Sequence, residues 1–259
     1  MEIKEDWVRN FYNMDPHIGT KAPDFTLDTI AGGKITLYEA LKKRPVVLEF
    51  GNYTCPPFRN RTASIEKVKQ KWGNRVEFIV VYTRESNPNH GPFQLIKEPS
   101  SQKERNDLAQ LMVEELNSSM TVSVDKMDNR VCRIYGEPFS ASFIIKQDGT
   151  VFYKGPWTAP AKIDTELTRM FGGKPAQRVT HNRRLAVNPA MLNIKGMVCQ
   201  GCVIAVRHAL VNVAGVQSVD VDLSTHKATI KHDGTTRLSD LILAVKDTGF
   251  GVTNNTRNH

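Results

Sequence analysis

At 259 residues the chain is long for one ordinary domain and suits one of about 150–170 residues followed by a small one. Its 40% hydrophobic and 24% charged content excludes global disorder, and four cysteines are too few for a disulfide framework, which points to a reducing compartment. The net charge of +8 is spread along the chain, with its densest cluster, Arg178 to Arg184, in a breaker-rich segment, so a solvated basic surface is expected and nucleic-acid binding is not.

The chain begins Met1-Glu2-Ile3-Lys4-Glu5-Asp6, without the apolar core of a secretory signal. Nowhere does it hold the run of about 18 apolar residues that spans a bilayer, so a cytoplasmic protein without membrane contact is expected. Ala22-Pro23-Asp24-Phe25-Thr26-Leu27 and Lys34-Ile35-Thr36-Leu37-Tyr38 flank Gly32-Gly33 and read as a β-hairpin. Residues 45–50 suit a strand buried on both faces; a charged amphipathic helix with Ile65, Val68 and Trp72 on one face follows, then a second buried strand over 76–82. Strand, helix, strand is a right-handed βαβ unit.

Residues 84–100, with three prolines and a glycine, read as a long exposed loop of the kind that carries function. A helix is expected over 104–116, a short strand over 121–124 and a short helix over 129–135. A hairpin about Gln147-Asp148-Gly149 and a helix over 163–171 close this domain. Residues 173–189, polar, basic and rich in breakers, read as a linker whose r.m.s. span as a flexible chain is about 20–25 Å. Strand 191–195, a Cys-x-x-Cys loop, helix 202–213, strands 216–222 and 226–231, helix 237–247 and a short last strand then give the βαββαβ order of a ferredoxin-like arrangement. The expected domains are thus 1–172, the linker 173–189, and 190–259.

The cysteines separate into unlike sites. Cys55 closes the run Val46-Val47-Leu48-Glu49-Phe50-Gly51-Asn52-Tyr53-Thr54 and precedes Pro56-Pro57-Phe58, between a buried strand and a helix. Helix N-termini favour a thiolate, and crevices at the carboxyl ends of strands are where open α/β sheets bind ligands. Thr54 adds a hydroxyl that can bond the sulfur or a polar substrate atom. A reactive thiol is the favoured reading, a small buried apolar residue the other. Cys132, on the inner face of its short helix, is either a buried inert thiol or a resolving one. No second cysteine stands at 58, so Cys55 is not half of a thioredoxin-type Cys-x-x-Cys. The Thr-x-x-Cys spacing of peroxiredoxins is also absent.

Phe50-Gly51-Asn52-Tyr53-Thr54-Cys55-Pro56-Pro57-Phe58 resembles the active-site segment of the iodothyronine deiodinases, a thioredoxin-fold family with selenocysteine, or cysteine in many bacterial relatives, at this position. The likeness runs over about residues 20–172 and includes Val80-Val81-Tyr82-Thr83-Arg84-Glu85, His90-Gly91, Asp125, Met127, Tyr135, Asp148-Gly149 and Tyr153-Lys154-Gly155-Pro156-Trp157. It implies an α/β thioredoxin-like domain, with no cofactor of its own, in which Glu85 and His90 lie near the chalcogen as acid/base or substrate-orienting groups. Three departures stand out. Sulfur in place of selenium makes deiodination the lesser expectation and thiol reductase or peroxidase-like chemistry the greater. The family's membrane anchor is missing. Asn52 and Tyr53 replace small Ser-Cys-like residues, which removes a candidate resolving cysteine. A thiol reductant, glutathione or a thioredoxin-type protein, is the expected partner.

In the last domain, Gly196-Met197-Val198-Cys199-Gln200-Gly201-Cys202 places two thiols in one tight loop, and thiolates select soft ions. A redox Cys-x-x-Cys is the rival reading. Met197 is expected to tuck into the core, and His208, His226 and His232 to lie on the surface. The segment, with Val216-Gln217-Ser218-Val219-Asp220-Val221 and Thr248-Gly249-Phe250-Gly251-Val252, resembles the heavy-metal-associated domain of copper chaperones, metal-transporting ATPases and mercury-binding proteins. Cys199 and Cys202 are then the ligands of Cu(I) or Hg(II), with Zn(II) and Cd(II) as further candidates. The expected function is a thiol-dependent oxidoreductase with Cys55 as nucleophile, coupled to soft-metal binding. The alternative is a non-enzymatic metal binding or transfer protein with metal-transfer partners.

Overall fold

The structure, a computed structural model, describes residues 7–174, 185 and 189–253. The chain divides into two compact units near residue 175. Most of the expected linker lies outside the described residues.

The first unit runs α1 (Trp7–Asn13), β1 (Thr26–Thr29), β2 (Lys34–Thr36), α2 (Leu37–Lys43), β3 (Val46–Gly51), α3 (Pro56–Trp72), β4 (Glu77–Tyr82), a 3-10 turn (Gly91–Phe93), α4 (Gln102–Leu116), β5 (Thr121–Val124), α5 (Arg130–Ile134), β6 (Ser142–Ile145), β7 (Val151–Gly155) and α6 (Pro160–Met170). Its seven strands lie in the order β2-β1-β5-β4-β3-β6-β7. Pairs β3/β4 and β4/β5 are parallel, while β6 and β7 add antiparallel. This βαβαβ unit with a closing hairpin and helix is a thioredoxin-like arrangement.

Every residue of β3 is buried because the strand lies between two cores. Val47 faces Ile65, Val68, Ala109, Met112, Ile163 and Leu167 of α3, α4 and α6. On the opposite face, Leu48 and Phe50 pack with Phe11, Leu37, Leu41 and Val131 of α1, α2 and α5. The helices α1 and α2 are absent from the sequence reading. Each has seven residues, too few for a clear 3.6-residue period, and α2 starts one residue after the hairpin strand β2.

The second unit runs β8 (Ala190–Lys195), α7 (Gln200–Val211), β9 (Val216–Asp222), β10 (Lys227–His232), α8 (Leu238–Asp247) and β11 (Gly251–Thr253). Its antiparallel sheet has the order β11-β8-β10-β9. Leu192, Ile194, Val206, Leu210, Ala228, Ile230, Leu241 and Val245 fill its core. The ferredoxin-like βαββαβ order read from the sequence is the one observed.

Candidate active site and metal centre

The turn after β3 is fixed first by packing. A Cβ on Gly51 would stand 2.1 Å from the ring of Phe58, so the absence of a side chain lets Phe58 close down on the strand end. That contact seats the first turn of α3, with Cys55 as N-cap in extended conformation (φ −95°) and Pro56 and Pro57 at its start. Proline suits this position because its missing N–H would have no intrahelical partner. Phe58 therefore offers the first backbone N–H of the helix. Cys55 is a reduced thiol, only 3% exposed, in one apolar cluster with Tyr53, Phe58 and Phe93.

Hydrogen bonds fix the turn next. Glu85 Oε2 accepts from the Thr54 backbone N–H at 2.7 Å and from its hydroxyl at 2.6 Å, and Glu85 Oε1 accepts from the Tyr82 hydroxyl. Tyr82 Oη in turn accepts from the Tyr53 N–H at 3.2 Å. Burial raises the proton affinity of Glu85, opposed by the Thr54 and Tyr82 bonds, while neighbouring Glu98 adds to the rise. The loop after β4 is strapped to the same turn. Asn87 donates its N–H to Thr54 Oγ1 (3.0 Å) and its amide to the Thr54 carbonyl (2.9 Å), and Asn52 and Ser86 bond each other reciprocally.

Of the residues singled out by sequence, Cys55, Thr54 and Glu85 thus share one turn and its clasp. His90 lies on the exposed part of the 84–100 loop, where its carbonyl accepts from the Phe93 N–H at 3.0 Å. Its imidazole makes no hydrogen bond or ion pair among the described residues. Cys132 is buried in α5, its N–H donating to Asp125 Oδ2 at 2.7 Å and its sulfur 3.8 Å from the Pro138 carbonyl. Burial, with the Asp125 charge second, pushes its thiol up to about 12, which keeps the proton on.

Sequence reasoning missed Tyr82, Asn52, Ser86 and Asn87, whose part arises only when β4 and its loop are brought beside the β3 turn. It also passed over Glu49, whose signal was visible as one acid inside an apolar run. Glu49 is 1% exposed, opposite Ser142 in the β3/β6 register, and neither of its oxygens makes a hydrogen bond of normal geometry among the described residues. Burial pushes this carboxyl up to about 7 against the pull of the Thr158 hydroxyl and the Arg61 guanidinium.

In the second unit Cys199 is the N-cap of α7, and Cys202 falls one turn on, its N–H donating to the Cys199 carbonyl at 3.0 Å. The sulfurs lie 3.1 Å apart, with Cys199 8% and Cys202 0% exposed. One ion with metal–sulfur distances of about 2.3 Å can reach both. The Cys199 sulfur first, and burial second, hold the Cys202 proton well above the ordinary thiol range, so a bound metal must displace it. No group of three His, Cys, Asp or Glu among the described residues is placed to hold a metal. The two thiols are the candidate donor set, and such a pair suits a soft ion and not a closed four-ligand zinc site.

Met197 is buried at 1% exposure. His226 is exposed and His208 half-buried, with burial lowering its pKa. His232 corrects the surface expectation. It is 2% exposed, and its Nδ1 accepts from the Gly234 N–H at 3.1 Å. The cause is the period of two in β10, where His232 follows Ala228 and Ile230 onto the inner face.

Residues 3–171 match the iodothyronine deiodinase family, and residues 191–251 match the heavy-metal-associated domain. Thyroxine 5-deiodinase of Sparus aurata is 31% identical over 147 residues, covering 54% of this chain and 54% of that protein. The Gallus gallus thyroxine 5-deiodinase is 31% identical over 147 residues, with 54% and 56% covered. The chain spans about half the length of the curated relatives it matches. Among solved structures, a thiol:disulfide interchange protein from Bacteroides sp. superimposes with TM-score 0.49 at 16% identity, covering 65% of this chain and 97% of that one. No helix among the described residues is long and apolar enough to cross a membrane.

Proposed function

Because this chain belongs to the iodothyronine deiodinase family over residues 3–171 and also carries a heavy-metal-associated domain, we propose that it is a thiol-dependent oxidoreductase. In this reading Cys55 is the nucleophile, and Cys199 and Cys202 bind a soft metal ion, Cu(I) or Hg(II). The observation that supports it most is the placement of Cys55. Cys55 stands at the N-cap position of a 17-residue helix at the carboxyl end of a central strand, on a turn whose neighbour Thr54 is clamped by a buried acid. A helix N-terminus stabilises the thiolate, and a clamped turn holds it in one geometry.

The Cys55 thiolate attacks one oxygen of a hydroperoxide, the S–O bond forms as the O–O bond breaks, and the departing alkoxide takes a proton to leave as alcohol. Sulfur is oxidised to the sulfenic acid. One molecule of a low-molecular-weight or protein thiol condenses with it, releasing water and leaving a mixed disulfide. A second thiol attacks that disulfide and returns Cys55. Thr54 and Glu85 position the turn, the Glu85 carboxyl accepting from both the Thr54 N–H and its hydroxyl. His90 lies on the exposed part of the strapped loop and in this reading serves as an acid/base or substrate-orienting group. The buried, proton-retaining Cys132 favours an external reductant over an internal resolving thiol. Reductive removal of iodine from an aryl ring, the chemistry in the relatives' names, is the competing acceptor reaction for the same thiol.

A second reading is a metal carrier in which Cys55 is an inert core residue. Its support is the low exposure of Cys55, 3%. Peroxide-dependent oxidation of a thiol by the intact protein, followed in wild type and Cys55→Ser, separates the two. Turnover that disappears with Cys55 supports the oxidoreductase, and equal rates in both proteins overturn it.

A further inference from the structure

Two residues before Cys55 in the same turn, Tyr53 is held from four sides. The Tyr53 N–H donates to Tyr82 Oη on β4 (3.2 Å), and its carbonyl accepts from Arg59 Nη1 on α3 (3.3 Å). Its hydroxyl donates to Glu115 Oε1 on α4 (2.7 Å), and its ring meets Phe93 of the strapped loop edge-on, with centroids 6.0 Å apart. The Arg59 guanidinium covers both rings, at 4.6 Å from Tyr53 and 5.6 Å from Phe93, and closes the bracket through Glu115 Oε2 at 2.9 Å. The bonds from Arg59 and Tyr53 keep the Glu115 carboxyl below its usual range, so the bracket stays charged and closed at neutral pH. Tyr53 is 7% and Phe93 8% exposed, and both belong to the apolar cluster that contains Cys55.

An aromatic side chain anchored at backbone, ring and hydroxyl does not rotate aside without losing several contacts at once. Close-packed neighbours of this kind resist the entry of volume they were not shaped for. A small acceptor asks far less opening of the packing over a sulfur at 3% exposure. A two-ring aromatic acceptor needs the whole bracket opened, since ligand sites of that size enclose about 300–1,000 Å³. We propose that Tyr53, pinned by Arg59, Glu115 and Phe93, is the specificity-determining residue that restricts Cys55 to small acceptors such as hydrogen peroxide and short-chain hydroperoxides, and shuts out bulky aromatic ones. This rests on the reading of Cys55 as the reacting thiol.

The test compares small and bulky thiol reagents on the full chain, with modification of the Cys55 peptide read by mass spectrometry so that the other cysteines do not interfere. Iodoacetamide is the small probe and a fluorophore-bearing maleimide the bulky one. Tyr53→Ala should raise the bulky rate at Cys55 by about tenfold or more and change the small rate by less than about threefold, in line with opening a packed wall. Tyr53→Phe, which keeps the ring and loses only the Glu115 bond, should change the bulky rate by less than about threefold. Should Tyr53→Ala fail to fold, Phe93→Ala, which removes the facing ring from the loop, must reproduce the gain. Equal acceleration of both probes, or no acceleration, overturns the proposal, as does a Tyr53→Phe gain equal to that of Tyr53→Ala. A wild-type Cys55 that takes iodoacetamide but is not oxidised by hydrogen peroxide instead defeats the oxidoreductase reading and leaves the size selection standing.

Discussion

The two thiol sites of this chain begin alike. In each a strand ends, a short turn follows, and a cysteine in extended conformation caps a helix, Cys55 before α3 and Cys199 before α7. They part three residues later. One helical turn brings residue i+3 beneath the cap, and there the first site has Phe58, whose ring packs on Gly51. The second has Cys202, whose sulfur lies 3.1 Å from that of Cys199. A ring at i+3 leaves one thiol over an apolar floor, suited to attack on an electrophile. A sulfur at i+3 makes a chelating pair. With Cys55 as the proposed nucleophile and Cys199 and Cys202 as the proposed metal ligands, one residue in the first helical turn separates the two roles.

The comparison breaks most visibly at the cysteines. Cys55→Ser should lower peroxide-dependent thiol oxidation by about a hundredfold or more, since a hydroxyl at neutral pH is a far weaker nucleophile than a thiolate, and should leave Cu(I) binding intact. Cys199→Ser with Cys202→Ser should do the reverse, abolishing stoichiometric Cu(I) capture and leaving turnover within about twofold, because the metal needs both thiolates. A double variant that still binds Cu(I) as tightly as wild type would overturn the metal assignment.

Stability sharpens the same contrast. Phe58, 1% exposed and fitted against Gly51, should cost about 3–5 kcal/mol on replacement by alanine. Cys202→Ala removes a single sulfur from the small core and should cost about 1 kcal/mol. Denaturant midpoints of the full chain read both values, and equal losses would mean that Phe58 is no keystone of the turn.

Glu49 gives the first unit a pH signature. Its carboxyl is pushed from 4.5 in the open chain up to about 7 in the fold, so the folded state holds the proton more tightly than the unfolded one. The stabilisation is complete below about pH 4.5 and drains away as pH rises through about 7, for a total of about 3 kcal/mol. Glu49→Gln, which keeps the shape and cannot ionise, should flatten this part of the stability curve and leave the protein more stable than wild type at pH 8. A wild-type curve with no fall between pH 5 and 8 would mean that the charged form finds compensation in the core.

A smaller loss is expected at the clamp. Glu85→Gln replaces two acceptor oxygens by one acceptor and one donor, leaving one of the Thr54 and Tyr82 donors without its partner. That should cost about 1–3 kcal/mol, read as a lower melting temperature, together with slower Cys55 chemistry. Thr54→Val, which keeps the backbone bond and deletes the hydroxyl, should show part of the same effect.

Much of this was legible in the sequence where the local signal was long or exact in spacing. Strands β5 and β9 fall where alternation and apolar content put them, and the Cys-x-x-Cys loop announced its two-thiol site. The short helices α1 and α2 were not legible, because seven residues carry less than two turns of period. The inward turn of His232 was readable from the alternation Ala228, Ile230, His232, but the expected strand stopped at 231, one residue short of it. What no local pattern contains is the clasp on Cys55. Tyr82, Asn87 and Glu115 reach the turn from about 30 to 60 positions away in the chain, and only the parallel β3/β4 pairing and the packing of α4 bring them there. For the same reason Tyr53 reads in sequence as a departure from a family pattern and in the structure as a residue pinned by β4, α3, α4 and the loop.

The least of the expected effects concerns the covalent joining of the two sites. Linking modules in one chain makes their encounter intramolecular, with an effective concentration on the order of millimolar for connections of modest length. That alone favours transfer of a metal ion from Cys199 and Cys202 to Cys55 at micromolar protein. Against it stands chelation, since two sulfurs hold a soft ion better than one and the equilibrium lies with the pair. The net result should be a small occupancy of Cys55 by metal, seen as about a twofold slowing of its alkylation when the full chain carries one equivalent of Cu(I). An equimolar mixture of the separate first and second units should show no slowing, because at micromolar concentration encounter is too rare to offset the chelate. Identical rates in the two preparations would mean that the sites are joined for co-expression and act independently. A slowing well beyond twofold would mean that Cys55 is itself a strong metal ligand, and would move the whole chain toward the metal-carrier reading.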